Sequence, residues 1–242
     1  MRTTISKSYN EVGYTKKIFD EFKIEVDETK IISIVAPIKS GKTTLLRILS
    51  GLETSDNNNQ KIPYSFYIGS EPQSFPWMNL KQTIQFANPK IEISQIKLIA
   101  EQVGLEGYEE HFPNNKSLGF RFRIVLAAAI AKQSSTILLD EPFSMMDERT
   151  KNEIYQLIID ISKKLNIGFV LGTSNLGEAV LLSDEIILLK NLPYKNAERF
   201  SLEYKNDSLE ERINSESYTK NLSLLIESIN KMKTQKQYSI SL

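Results

Sequence analysis

The chain has 242 residues, 30 basic and 30 acidic side chains balancing to a formal net charge of +0, and no cysteine. That length can bury one α/β core with an inserted subdomain, whereas the charge balance offers no footprint for nucleic acid or an anionic membrane surface and the missing thiols exclude disulfides and thiolate zinc sites. The longest apolar run, Ile124–Ala131, is far short of the roughly 20 residues that a membrane-spanning helix needs, and Met1–Lys7 lacks the apolar centre of a signal peptide.

Residues 2–8 and 21–26 alternate apolar and polar in short pieces, with Tyr9 to Lys17 as the connection. This predicts a β-hairpin or meander that leaves Tyr9 and Tyr14 exposed. Next comes the apolar run Ile31–Val35, then Ala36-Pro-Ile-Lys-Ser-Gly-Lys-Thr-Thr44, then Leu45–Leu49, which reads as strand, tight loop and helix. Gly41, Lys42 and Thr43 match the phosphate-loop pattern G-x-x-x-x-G-K-[ST], with Ala36 in place of the first glycine. In such a loop, backbone N–H groups wrap a phosphate at a helix N-terminus, the lysine reaches the β and γ oxygens, and the hydroxyl ligates magnesium. Ala36, Pro37, Ile38, Lys39, Ser40, Gly41, Lys42, Thr43 and Thr44 are therefore the candidate ATP phosphate cradle, with Thr43 on Mg2+.

A polar loop over Glu53–Lys61 and a strand over Tyr64–Ile68 follow. Pro72, Pro76 and the only tryptophan, Trp77, fall in an irregular stretch, expected as a surface loop with one buried anchor. Helical periodicity covers Leu80–Phe86, Ile93–Val103 and a longer segment from near Ser117, so that about 71–134 reads as a helical insertion. Strand Thr136–Asp140, helix Glu148–Leu165, strand Ile167–Gly172, helix Leu176–Leu182 and strand Glu185–Leu189 complete a βαβ series. Beyond Lys190 the chain turns polar, with a last helical pattern over Tyr218–Met232. The expected division is 1–190 as a nucleotide-binding domain and 191–242 as a C-terminal extension.

Strand Thr136–Asp140 ends in Asp140-Glu141-Pro142. In a phosphate-loop ATPase, an aspartate at such a strand end holds magnesium and a neighbouring glutamate polarises the attacking water. Asp140 is the metal candidate beside Thr43, and Glu141 the catalytic one.

Asp140-Glu-Pro-Phe-Ser-Met-Met-Asp147 resembles the second nucleotide motif and D-loop of ATP-binding-cassette (ABC) ATPases, a resemblance that spans about residues 1–190. It implies a P-loop NTPase fold with a RecA-like core and a helical subdomain, working as a head-to-tail dimer on transmembrane permease subunits at the inner face of the membrane. Glu71-Pro-Gln-Ser-Phe-Pro-Trp77 looks like Q-E-P-x-x-x-P-W of nitrate, sulfonate and taurine importers. In those, an external solute-binding protein acts indirectly through the permease.

Against this pattern, Ser70 stands where the family has the Q-loop glutamine, and Ser174 where it has the switch histidine. Lys116-Ser-Leu-Gly-Phe120 occupies the place of the signature L-S-G-G-Q, retaining Ser117 and Gly119, while Leu118 stands at a glycine. The one histidine, His111, is expected at the surface. Tyr9 matches the adenine-stacking aromatic, with Tyr14 as runner-up. Three functions follow from the resemblance: an importer's ATPase motor, a nucleotide-binding regulatory subunit with little hydrolysis of its own, and a soluble ABC protein unrelated to transport. Weakened switch and signature positions favour pairing with a second, complete ATPase subunit over a homodimer.

Overall fold

The structure, a computed structural model, describes residues 1–11, 13–57, 61–114, 116–204 and 208–238. A six-stranded, mostly parallel sheet forms its centre, in the spatial order β4-β5-β6-β3-β7-β8. These strands are β3 (Ile31–Val35), β4 (Ser65–Ile68), β5 (Thr136–Asp140), β6 (Gly168–Thr173), β7 (Glu185–Leu189) and β8 (Ala197–Ser201). Every residue of β3, β5 and β6 is buried, because parallel strands between two helical layers have no wet face. Neighbouring strands bring their C-terminal ends to one edge, with Asp140 beside Gly172 and Val35 beside Thr173. Helix α1 (Lys42–Ser50) leaves the sheet from that edge, its Leu45, Leu46 and Leu49 packed with Ile32, Ile34, Leu138 and Val170.

Ahead of the sheet, β1 (Arg2–Glu11) and β2 (Tyr14–Glu25) form a separate antiparallel pair. The expected loop from Tyr9 to Lys17 is instead ladder, with Tyr9 opposite Lys16 and Glu11 opposite Tyr14. Polar side chains on both faces hide such an extension from a pattern reading, since the backbone bonds that hold it carry no sequence signature. Tyr14 is exposed as expected (57%), but Tyr9 is half-buried.

The helical insertion comprises α2 (Leu80–Ala87), α3 (Ile93–Gln102) and α4 (Leu118–Ala131). Asn79 and Gln82 close a capping box at the start of α2, and the Ser117 hydroxyl accepts from Phe120 N at 3.2 Å to start α4. Helix α4 is apolar nearly all round and buried, as a helix wedged between α2, α3 and α5 (Glu148–Leu165) must be.

After Lys190 the chain folds back on the core. Strand β8 pairs antiparallel with β7, and α6 (Leu176–Leu182) packs against α7 (Leu209–Ile213) and α8 (Glu216–Tyr238). Tyr194 is fully buried with Phe19 in the core shared by β2 and the sheet. Arg212, 4% exposed, donates to the carbonyls of Leu181 and Leu182 at 3.0 and 3.3 Å and stacks on the Tyr204 ring. We expect Arg212→Ala to lower stability by about 2–3 kcal/mol, the scale for hydrogen bonds from a buried charge. Urea unfolding measures it, and a loss below about 0.5 kcal/mol would show that this tether contributes no more than a surface contact.

Candidate functional site

The loop from Ala36 to Gly41 joins β3 to α1. Gly41 caps the helix at φ 99° and offers no side-chain bond, and the first turn carries no acidic residue. The positive end of the helix is thus left for an anion. A Cβ on Gly41 would meet Ile18 Cγ2 at 2.6 Å, so only glycine fits both the turn and the contact. Ala36 takes no positive φ, whereas Lys39 does (61°). The alanine at the first glycine position therefore costs no strain.

Lys42, 5% exposed, donates from Nζ to the carbonyls of Ala36 (2.8 Å) and Pro37 (3.0 Å) and pairs with Glu141 Oε1 at 3.2 Å. Glu141 sits at φ 47° with its N–H on Gly172 O. This left-handed turn at the end of β5 is what swings its carboxylate over the loop lysine. Lys42, Thr43, Thr44, Tyr9 and Glu141 share the wall of a cavity of about 420 Å³ with Ile18 and Lys16. The Tyr9 hydroxyl donates to Glu53 Oε1 (2.5 Å) and exchanges a 3.0 Å bond with Thr44 Oγ1; burial is the main cause that raises its pKa. Lys7 Nζ lies 5.2 Å from the centre of the ring.

A second cavity, about 1,100 Å³, is lined by Thr43, Tyr67, Ser70, Gln73 and Asp140 and opens towards Phe75 and Phe86. Asp140 is 6% exposed; Oδ2 accepts from the Tyr67 hydroxyl at 2.9 Å, and Oδ1 is buried with no partner. An orphaned carboxylate oxygen beside the Thr43 wall suits a hard divalent cation. Ser174 is not in either cavity. With Ala36 and Pro37 it lines a third, of about 380 Å³, which Ile229 of α8 also lines. Ser117 and Gly119 line none of the three; Gly119 is buried, with room for no Cβ because Thr150 Cγ2 would lie 2.6 Å away. Leu118 packs on the core.

Behind Ser174, Glu178 is buried and accepts from Thr173 Oγ1 at 2.9 Å. Burial pushes its carboxyl above the usual range, while the hydroxyls of Thr173 and Tyr155 pull it back. Asp147 caps α5 by accepting from Thr150 N and Oγ1, which holds its carboxyl below the usual range. His111 is at the surface, as expected.

The sequence model of the family described as ABC transporter matches residues 19–144, more than half of the chain. The chain belongs to this family. Among curated ABC proteins it is 30% identical over 198 residues to aliphatic sulfonates import ATP-binding protein SsuB 2 of Pseudomonas syringae pv. syringae, covering 80% of this chain and 71% of the relative. It is 28% identical over 211 residues to SsuB of Bacillus subtilis, covering 81% and 82%. Its fold is that of the ABC cassette: the dimeric cassette MJ0796 superposes with a TM-score of 0.68 at 19% identity, over 84% of this chain and all of that one. CbiO1 of Clostridium perfringens gives 0.67 at 17%, over 96% and 98%.

Two features of this ABC site escape a reading of the sequence. Tyr67 reads there only as a strand residue, and the loop of Trp77, beyond its importer pattern, as an ordinary surface loop with one buried anchor. The tryptophan is 68% exposed; its ring packs tilted against Phe75, which meets Phe86 edge-on (5.5 and 5.6 Å between ring centres). Aromatic size alone suggests burial, but here three rings shield one another at the surface.

Proposed function

We propose that this chain is the ATP-binding subunit of an ABC importer, holding ATP and Mg2+ at a dimer interface and acting through transmembrane permease subunits. The observation that carries this reading is the pairing of Lys42 with Glu141 at the start of α1, with Thr43 lining both their cavity and the one that holds Asp140, whose Oδ1 is unpartnered. Lys42 would move from its own loop carbonyls to the phosphates, Thr43 and Asp140 would hold magnesium, and Tyr9 would face the adenine. Magnesium held there would supply neutralisation of the phosphate charge. Glu141 would orient the attacking water. Measuring ATP binding and turnover with and without co-expressed membrane subunits tests it: turnover that responds to the permease supports an importer subunit, and ATP binding with no response removes transport from the reading.

The exposed Phe75, Trp77 and Phe86 would receive the permease, and no helix among the described residues is long and apolar enough to cross a membrane by itself. A place at the inner membrane face would come from that contact. The sulfonate importers among the relatives support uptake as the direction, while the solute would be selected by the permease and an external binding protein.

A second reading, nucleotide binding with little own hydrolysis, is favoured by one observation. Ser70 is exposed, and Ser174 lines a cavity separate from that of Lys42 and Glu141. In a head-to-tail dimer the chain contributes its phosphate loop, Ser70, Glu141 and Ser174 to one site and Ser117 and Gly119 to the other. A homodimer would place short switch residues and an altered signature together twice. We therefore expect a heterodimer with a complete ATPase subunit. Counting subunits in the purified transporter decides it, since two copies of this chain with no other cassette and intact ATP-driven transport would refute the pairing.

A further inference from the structure

We infer that Tyr67 is a positioning residue for the magnesium-holding carboxylate of Asp140, an inference that rests on the ATP-binding reading above. Strand β4 pairs in parallel with β5, and the register sets Tyr67 beside Leu138. Side chains alternate along a strand, and paired neighbours share a face. Tyr67 and Leu138 thus lie on the α1 side of the sheet, where both join the cluster of Leu45, Leu46 and Val170. Phe66, Ile137 and Leu139 belong to the cluster on the opposite face. Asp140 follows Leu138 by two residues, so its carboxylate returns to the α1 face one step beyond the Tyr67 ring. A phenol is long enough to span that step, and its hydroxyl donates to Oδ2 at 2.9 Å.

The other neighbouring strand treats the carboxylate differently. Gly172 of β6 pairs with Asp140, and a Cβ there would lie 3.6 Å from Oδ1 and 2.7 Å from Leu46 Cδ1. One strand therefore binds one oxygen while the next leaves space at the other. The carboxylate is held with its orientation fixed and Oδ1 unpartnered, on the wall it shares with Thr43. A bond from a supporting donor to a ligating carboxylate sets its aim, and its loss typically costs 10- to 100-fold in metal affinity. Thr43, Ser70 and Thr83 also bring hydroxyls to this cavity, but the one that bonds Asp140 is that of Tyr67.

The experiment compares the parent with Tyr67→Phe, which keeps the ring in its packing and removes only the donor. ATP affinity is titrated in excess Mg2+ and again in EDTA, and Mn2+ binding in the presence of ATP is followed by electron paramagnetic resonance. The expected result is a fall on the order of 10-fold in Mn2+ affinity and in the magnesium-dependent gain in ATP affinity, with affinity in EDTA unchanged. Should Tyr67→Phe keep both metal readouts at the parent's values, Tyr67 is only a core residue. Equal losses with and without metal would likewise reject a role aimed at the carboxylate. A parent that binds no ATP under any condition would overturn the function proposed above together with this inference, whereas a parent with a normal magnesium gain confines any failure to the role of Tyr67.

Discussion

Lys42→Ala is expected to weaken ATP binding by roughly 100-fold or more, equivalent to about 2.7 kcal/mol. The lysine is nearly enclosed and lies among three acceptors, two loop carbonyls and the Glu141 carboxylate. Its removal has two consequences that act in the same direction. It deletes the charge that would meet the β and γ phosphates, and it leaves Glu141 uncompensated where a polyanion must enter. Unpaired like charges at such distances repel by several kcal/mol at an effective dielectric constant near 20. Titration of the purified variant with a fluorescent ATP analogue in magnesium measures the effect, and a melting curve confirms that the fold survives. ATP affinity equal to the parent's in that titration would show that the loop at 36–44 is not the phosphate site.

Much of this arrangement is legible in the sequence because it depends on local order. The strand-loop-helix around Gly41 and the acidic end of β5 are written in consecutive residues, and their elements fall close to the predicted ones. The three helices of the insertion follow from apolar periodicity, and the structure adds the caps at Asn79 and Ser117. What escapes is decided by pairing between distant segments. Strand β8, Ala-Glu-Arg-Phe-Ser, sits at the sheet edge and is held by the β7 ladder and by Arg199, which reaches Glu185 and the carbonyl of Glu25. Nothing in five polar-rich residues announces that partnership. The Tyr67–Asp140 bond joins residues 73 apart, and it exists only in the observed register of β4 on β5; a slip of one residue would turn the ring to the opposite face. Ser174 shows the same limit: the sequence places it in the family's order, but not in the cavity it lines.

That placement sets the second large expectation, which concerns rate. We expect the unmodified chain alone to hydrolyse ATP slowly or undetectably, and the Ser70→Gln, Ser174→His double variant to gain on the order of 10²-fold. Reach is the physical reason. Lys42 and Glu141 already stand at one cavity, but neither serine lines it. Ser174 lines a different cavity, with Ala36, Pro37 and Ile229, and Ser70 lines the cavity of Thr43 and Asp140. A hydroxyl one carbon from the backbone has a short reach, whereas an imidazole or a carboxamide carries its donor farther from the backbone. Preorganised donors contribute most where charge develops in the transition state, and two acting on one phosphate do not add independently. The single variants should therefore recover less than the pair, each read as turnover at saturating ATP, with Glu141→Gln as the background. Fast turnover by the parent alone, lost on Glu141→Gln, would show that short hydroxyls at 70 and 174 suffice. An inert double variant with unchanged ATP affinity would instead reject Ser70 and Ser174 as the cause of slow turnover.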